Sequence, residues 1–211
     1  MKIALLGAES TGKSTLADGM AQALRNRGLR VAVVAELLRG WCARVGRAPR
    51  PDELLPIAQA QESAVEEAAR HADLVIADTT ALMVAIHGGL LFRDHPLMQL
   101  AFARQRTYGL TLLMGLDVEW QADGLMRHDP GAREPVDTLL RQLLGEAGVG
   151  FRMVYGHGAE RTGNALQALA EAAPWAWPLE DAPAARWTGS CEDCDDGGCE
   201  HRLFRRLLGP G

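Results

Sequence analysis

The chain has 211 residues, 47% of them apolar, and a formal net charge of −5. That length and composition predict one domain, or one domain with a small appendage, around an ample core, and the acidic balance excludes a general electrostatic pull toward nucleic acid or anionic membrane. Nowhere does the sequence reach the run of about eighteen apolar residues that a membrane span needs, and the apolar start at 3–6 is too short for a signal-peptide core. A cytoplasmic location is therefore expected, and there the chain's four cysteines point to metal or redox chemistry before structural disulfides.

Near-continuous apolar runs at 2–6, 30–35, 73–77, 110–116 and 150–155 predict strands buried on both faces of a parallel sheet. Helical spacing between them predicts helices over 14–27, 52–71, 80–92, 95–107, 134–147 and 160–172. The alternation predicts an α/β domain over residues 1–173, built on a doubly wound, parallel, five-stranded sheet. In such sheets ligands bind at the carboxyl ends of the strands. After Ala173 the composition shifts, and 174–189 is rich in Pro, Ala and Trp without a clean period. Residues 174–211 read as an extended connection, pinned to the domain by Trp175, Trp177 and Trp187, that leads to a cysteine-rich tail and a short helix.

Gly7-Ala8-Glu9-Ser10-Thr11-Gly12-Lys13-Ser14 read G-x-x-x-x-G-K-S, between the strand run Ile3–Leu6 and a helical pattern beginning at Thr15. Strand, glycine-rich loop and helix N-terminus are the context that turns this motif into a P-loop. Gly7 and Gly12 let the backbone turn, and the N–H groups from Gly7 through Thr15, including those of Glu9, Ser10 and Thr11, form an anion cradle backed by the helix dipole. Lys13 reaches the β- and γ-phosphates as a point charge, and Ser14 offers its hydroxyl to Mg²⁺. The motif predicts binding of a nucleoside triphosphate such as ATP.

Phosphoryl transfer also needs a carboxylate near the metal, a group for the acceptor hydroxyl and positive charge for the migrating phosphoryl group. Asp78 ends the third apolar run, where an acid supports Mg²⁺; a helix N-cap is the competing reading, with Thr79 or Thr80 equally able to serve. Glu36 follows the second run and can act as general base, with Arg39 at i+3 to hold substrate; the competing reading is a surface ion pair. Residues 120–134 form a polar stretch with two glycines and a proline, in which Arg127 and Arg133 read as lid arginines or as part of a solvated loop. Cys191, Cys194, Cys199 and His201 offer four N/S ligands within eleven residues, the set a tetrahedral zinc site requires. A Cys191–Cys194 redox pair, an iron–sulfur site and plain surface thiols are the alternatives. Cys42 stands alone and reads as a semi-buried residue rather than a nucleophile.

These segments together resemble the ribosylnicotinamide kinase domain of NadR-type proteins, P-loop kinases linked to NAD metabolism. The resemblance is carried by Leu6–Leu16 with Glu9-Ser10 inside the loop, by Glu36 with Arg39, by Pro56-Ile57-Ala58-Gln59-Ala60-Gln61, by Ile76-Ala77-Asp78-Thr79 and by Glu119–Arg127, across residues 1–172. It implies a nucleoside-monophosphate-kinase-like fold and ATP-dependent, Mg²⁺-dependent phosphorylation of a small nucleoside, nicotinamide riboside being the family substrate. It also implies Asp78 near the metal and Glu36 near the acceptor. The chain departs from the family at Thr80, where members often carry a second acid, and in its tail. The alternative function is a P-loop ATPase or nucleotide-dependent switch that acts through that tail. The arginine-bearing segment and Glu36, which both serve an acceptor, favour the kinase.

Overall fold

The computed structural model describes residues 1–89, 95–121 and 130–178. Five parallel strands, β1 (Lys2–Leu6), β2 (Val31–Val34), β3 (Leu74–Asp78), β4 (Leu110–Met114) and β5 (Arg152–Val154), form one sheet in the order β2-β3-β1-β4-β5. The helices described are α1 (Lys13–Asn26), α2 (Leu37–Val45), α3 (Pro51–Ala69), α4 (Ala81–His87), α5 (Pro96–Gln105), α6 (Arg133–Glu146) and α7 (Gly158–Ala172). This is the α/β, doubly wound parallel sheet that the alternating runs predict. With every strand parallel, all carboxyl ends lie on one edge, and the register Leu5↔Asp78 and Val34↔Ala77 sets the ends of β2 and β3 beside the start of the P-loop.

The two faces of the sheet divide by the period of two expected of strands. Ile3, Leu5, Leu74, Ile76, Leu110, Leu112 and Met114 point to α1 and α7, where Leu16, Met20, Leu24, Leu166 and Leu169 complete a buried cluster. Leu6 and Leu113 point the other way, into a cluster built from α2 to α6. Ala4, Val75 and Ala77 meet Val65 of α3 on that second face. The small alanines let α3 lie close to the strands that carry the site.

Three features depart from the sequence reading. Helix α2 is absent from it, because nine residues that include Gly40 and follow a glutamate rather than a good N-cap residue give weak local signals. Helix α4 ends at His87, followed by the turn at Gly88 and Gly89, where the pattern suggested continuation to 92. Of the tryptophans expected to pin the connection, Trp177 does so, with its ring 4.4 Å from the Arg27 guanidinium, but Trp175 is 59% exposed. Trp187, Arg127, Cys191, Cys194, Cys199 and His201 lie outside the described residues, and with them the zinc reading. Cys42 is buried against the α3–α4 layer. No helix among the described residues is long and apolar enough to cross a membrane.

Thr80 shows why a hydroxyl suits the position where an acid was expected by resemblance. It is the N-cap of α4, accepting from Leu82 N at 3.3 Å, and it donates to Gln105 Oε1 at 2.8 Å in a fully buried setting. Gln105 in turn donates to Thr111 Oγ1 at 3.0 Å, so the hydroxyl joins α4, α5 and β4. Thr80→Val keeps the shape and removes both bonds. Loss of the cap and of Gln105's donor should lower the unfolding free energy by about 1–3 kcal/mol, read as a lower urea midpoint with unchanged slope.

Candidate active site

The P-loop leaves β1 through Gly7, whose φ of +153° and close approach to β4 both require glycine: a Cβ there would stand 2.8 Å from Met114 Cβ. Ser10 and Gly12 also take positive φ, 56° and 77°, and Thr11 Oγ1 donates to Ala8 O at 2.8 Å to brace the turn. Helix α1 then starts at Lys13 with no side-chain cap, which leaves its first N–H groups for an anion. The Lys13 ammonium lies over the loop, donating to Gly7 O and Ala8 O, each at 2.9 Å. The segment after β4 meets the loop from above, where Gln121 N–H donates to Ser10 Oγ at 2.7 Å.

Ser14 Oγ donates to Asp78 Oδ2 at 2.5 Å, which joins the first turn of α1 to the end of β3. The second carboxylate oxygen, Asp78 Oδ1, is buried without a hydrogen-bond partner, and so is the neighbouring Thr79 Oγ1. Thr79 also sits at φ 86°, a conformation that costs a β-branched residue on the order of 1–3 kcal/mol and that clusters at functional sites. An orphaned carboxylate oxygen beside a hydroxyl and an anion cradle is a donor set that suits a hard, oxygen-seeking cation. Mg²⁺ typically takes one or two protein oxygens and completes its shell with phosphate and water, and Ser14 and Asp78 fit that demand. Among the described residues no cluster of three or more His, Cys, Asp or Glu side chains could hold a metal ion by itself.

A cleft of about 320 Å³ opens over the loop, lined by Ser10 to Thr15 on one side and by Arg39, Val118, Glu119 and Gln121 on the other. Arg39 carries Glu36 with it, Nη2 to Oε2 at 3.1 Å; the arginine side chain is 42% exposed and the glutamate 9%. The cleft continues into a smaller pocket of about 140 Å³ bounded by Leu16, Val118, His157, Arg161 and Thr162. Arg161 is buried there; it donates to Asp117 Oδ1, Gly156 O and Gly115 O, while Asp117 also accepts from Gly156 N–H at 2.6 Å. The ends of β4 and β5 are thereby locked together as one wall.

The structure brings together Gly7, Glu9, Ser10, Thr11, Gly12, Lys13, Ser14, Thr15 and Asp78, and puts Arg39 across the cleft from them; Glu36 is paired with Arg39 but is not among the residues that line the cleft. Arg133 is the first residue of α6, with its guanidinium donating to Leu116 O at 3.3 Å, and it is not among the residues that line the cleft. Sequence reasoning gave no role to Gln121, Asp117, Arg161 or His87. A glycine pair around His157 just ahead of Arg161 was an available signal for the second pocket. His87 had none, since it belongs to no motif.

His87 ends α4 with Nδ1 3.7 Å from Glu9 Oε1. Burial, and then the positive charges of Lys13 and Arg39, hold its pKa down at about 4. The imidazole is thus neutral at pH 7, and its approach to Glu9 is not an ion pair. Because the unfolded chain binds the proton near pH 6.5, stability is fully present above that value and falls as pH drops toward about 4. The His87 share of that loss should be about 3 kcal/mol, and His87→Gln should remove it from the pH dependence of urea unfolding while leaving the rest of the curve in place.

A protein family described as an AAA domain matches residues 2–161. Curated protein sequences yield no match. Among solved structures, NadR protein in complex with NR aligns with TM-score 0.64 and 21% identity over 81% of this chain and 50% of that one. NadR protein in complex with NAD and AMP-PNP aligns with TM-score 0.62 and 18% identity, over 85% and 50%. Thymidylate kinase from Ehrlichia chaffeensis aligns with TM-score 0.57 and 14% identity, over 81% and 97%. The chain spans half the length of the NadR structures it matches. At these identities the likeness is one of fold, and the fold is that of the P-loop kinases. With three quarters of its length covered by the family match, and a P-loop at the carboxyl edge of a parallel sheet, the chain belongs to the AAA domain family of P-loop proteins.

Proposed function

We propose that the protein is an ATP-dependent kinase that phosphorylates a hydroxyl of a small nucleoside, with nicotinamide riboside the first acceptor to test. The observation that carries this reading is the pairing of two acids at neighbouring strand ends around one P-loop. Asp78 is bonded to Ser14 on the phosphate side, and Glu36 is paired behind Arg39, which lines the facing wall. An ATPase would use such an acid to orient water, whereas the exposed Arg39 beside it is a group that can also hold an acceptor. The likeness in fold to NadR proteins caught with NR or with NAD and AMP-PNP, and to thymidylate kinase, supports the same reading.

In this proposal the loop N–H groups and Lys13 bind the β- and γ-phosphates, and the adjoining pocket at Leu16, Val118 and Thr162 takes the base. Ser14 and Asp78 would hold Mg²⁺, which neutralises charge on the phosphates when bound. Glu36 orients the acceptor hydroxyl and takes its proton as the new P–O bond forms at the γ-phosphorus and the bond to the β-phosphate oxygen breaks. Arg39 contacts the acceptor, and Arg127 is the arginine proposed to meet the phosphates, Arg133 being engaged at the start of α6 with Leu116 O.

ADP release measured with ATP and Mg²⁺ should rise when nicotinamide riboside or a related nucleoside is added, and Lys13→Ala should lower that acceptor-dependent rate at least about a hundredfold. Release that ignores every nucleoside in the panel would overturn the kinase reading in favour of an ATPase. Glu36→Gln should lower kcat by about 10²–10⁴-fold with the KM for ATP nearly unchanged. Wild-type turnover in that variant would remove Glu36 from the mechanism.

A further inference from the structure

Helix α2 begins without help from its own cap. Its N-cap residue is Glu36, at φ −65° and ψ 105°, and the Glu36 side chain makes no cap hydrogen bond. The first helical N–H, that of Leu37, is instead taken by Gln61 Oε1 from α3, at 2.8 Å. The other end of the same amide, Nε2, donates to Ala35 O at 3.3 Å. One fully buried side chain therefore bonds the peptide groups on both sides of Glu36. Only one orientation of the amide, oxygen toward the N–H and nitrogen toward the carbonyl, satisfies both bonds.

The next residue on α3 does the same for the neighbouring strand. Glu62 Oε1 accepts from Ala81 N, the first helical N–H of α4, at 2.8 Å, and Tyr108 OH donates to Oε2 at 3.1 Å. Gln61 and Glu62 thus hold the turns that follow β2 and β3, the strands that lead to Glu36 and Asp78. Glu62 acts on a helix already capped by Thr80, whereas Gln61 supplies the side-chain cap that Glu36 does not.

We infer that Gln61 is the positioning residue for Glu36: by capping α2 from outside and pinning both flanking peptides, it fixes the backbone from which the carboxylate reaches Arg39, the residue of α2 that lines the cleft. This rests on Glu36 serving the acceptor, as proposed above. A fixed base matters because displacement by about 1 Å costs a reaction on the order of a hundredfold. Neither charge nor contact with a ligand is required of Gln61 for this.

The test uses the full chain with ATP, Mg²⁺ and nicotinamide riboside, or the nucleoside of the panel that turns over fastest. Gln61→Met, of similar length but unable to make either bond, should lower kcat about ten- to a hundredfold and leave the KM for ATP within about twofold. It should also speed hydrogen exchange at the Leu37 amide about tenfold or more. In a Glu36→Gln background the same change should cost kcat less than about twofold, since a residue that acts through Glu36 has nothing left to position. Gln61→Glu, which keeps the acceptor for Leu37 N–H and loses the donor to Ala35 O, should fall between wild type and Gln61→Met, and it carries the test if Gln61→Met does not fold. Unchanged kcat, unchanged exchange at Leu37, or an equally large loss in both backgrounds would each overturn the positioning role. Wild-type turnover by Glu36→Gln alone would instead sink the catalytic reading on which it rests, while the exchange measurement still reports whether the clamp exists.

Discussion

The hydrogen bond from Ser14 to Asp78 joins the two halves of this fold. Ser14 belongs to the first turn of a helix that packs on one face of the sheet, and Asp78 ends a strand whose flanking residues feed both faces. A bond between them sets the P-loop against β3 and thereby sets where phosphate oxygens and a cation can meet. It also leaves one buried carboxylate oxygen and one strained threonine unrelieved. Orphaned polar atoms of this kind cost free energy that a protein retains where a ligand relieves them. The polar groups left unpaired at the end of β3 are thus the ones the chemistry would use.

Helix α3 carries the supports for that geometry. A helix facing a sheet ordinarily presents an apolar stripe, and α3 does so with Leu54, Ile57, Ala58 and Val65. It interrupts the stripe with buried Gln61 and Glu62, each of which would be costly if unmatched. Burial pushes the Glu62 carboxyl above its ordinary range, and the Ala81 N–H and Tyr108 hydroxyl pull it back. A third polar residue of this helix, Glu66, takes the Lys2 ammonium at 2.6 Å and so ties α3 to the start of β1. Each polar side chain therefore ends on a backbone group or an ion that a strand or helix terminus presents, so the polar side of α3 aligns elements while the apolar side binds them.

What could be read from the sequence follows how local each signal is. The P-loop needed only a strand, a loop and a helix start in succession, and Asp78 only an acid at the end of its own strand, each signal lying within a few residues. Glu36 and Arg39 were visible as an i,i+3 pair at such an end. Helix α2 was not, because its first turn is stabilised by a side chain 24 residues away rather than by its own cap. The lock between Asp117 and Arg161 spans 44 residues, and His87 meets Glu9 only because α4 returns to the P-loop. Trp175 and Trp177 are two residues apart in the same composition, and only packing against Arg27 separates the pinned ring from the exposed one.

The arginines around the cleft divide by burial, and the division bears on which of them can meet a ligand. Arg161 is buried and gives its terminal donors to Asp117 and to the carbonyls of Gly115 and Gly156. Drawing a buried, paired charge away from such partners costs about 3–5 kcal/mol, so this guanidinium belongs to the wall. Arg39 is 42% exposed, but its partner Glu36 is buried, at 9%, so withdrawing the guanidinium would leave a buried carboxylate to be matched. A ligand that draws Arg39 away would therefore have to leave that carboxylate a partner, and the acceptor hydroxyl of the proposed reaction is one. Arg39 is thus the more exposed of the two guanidinium groups, while the peptides on either side of Glu36 are held by Gln61. In the proposed transfer, the guanidinium would grip the acceptor while the carboxylate beside it receives the hydroxyl proton, so each member of the pair gains a new partner as it gives up the old one.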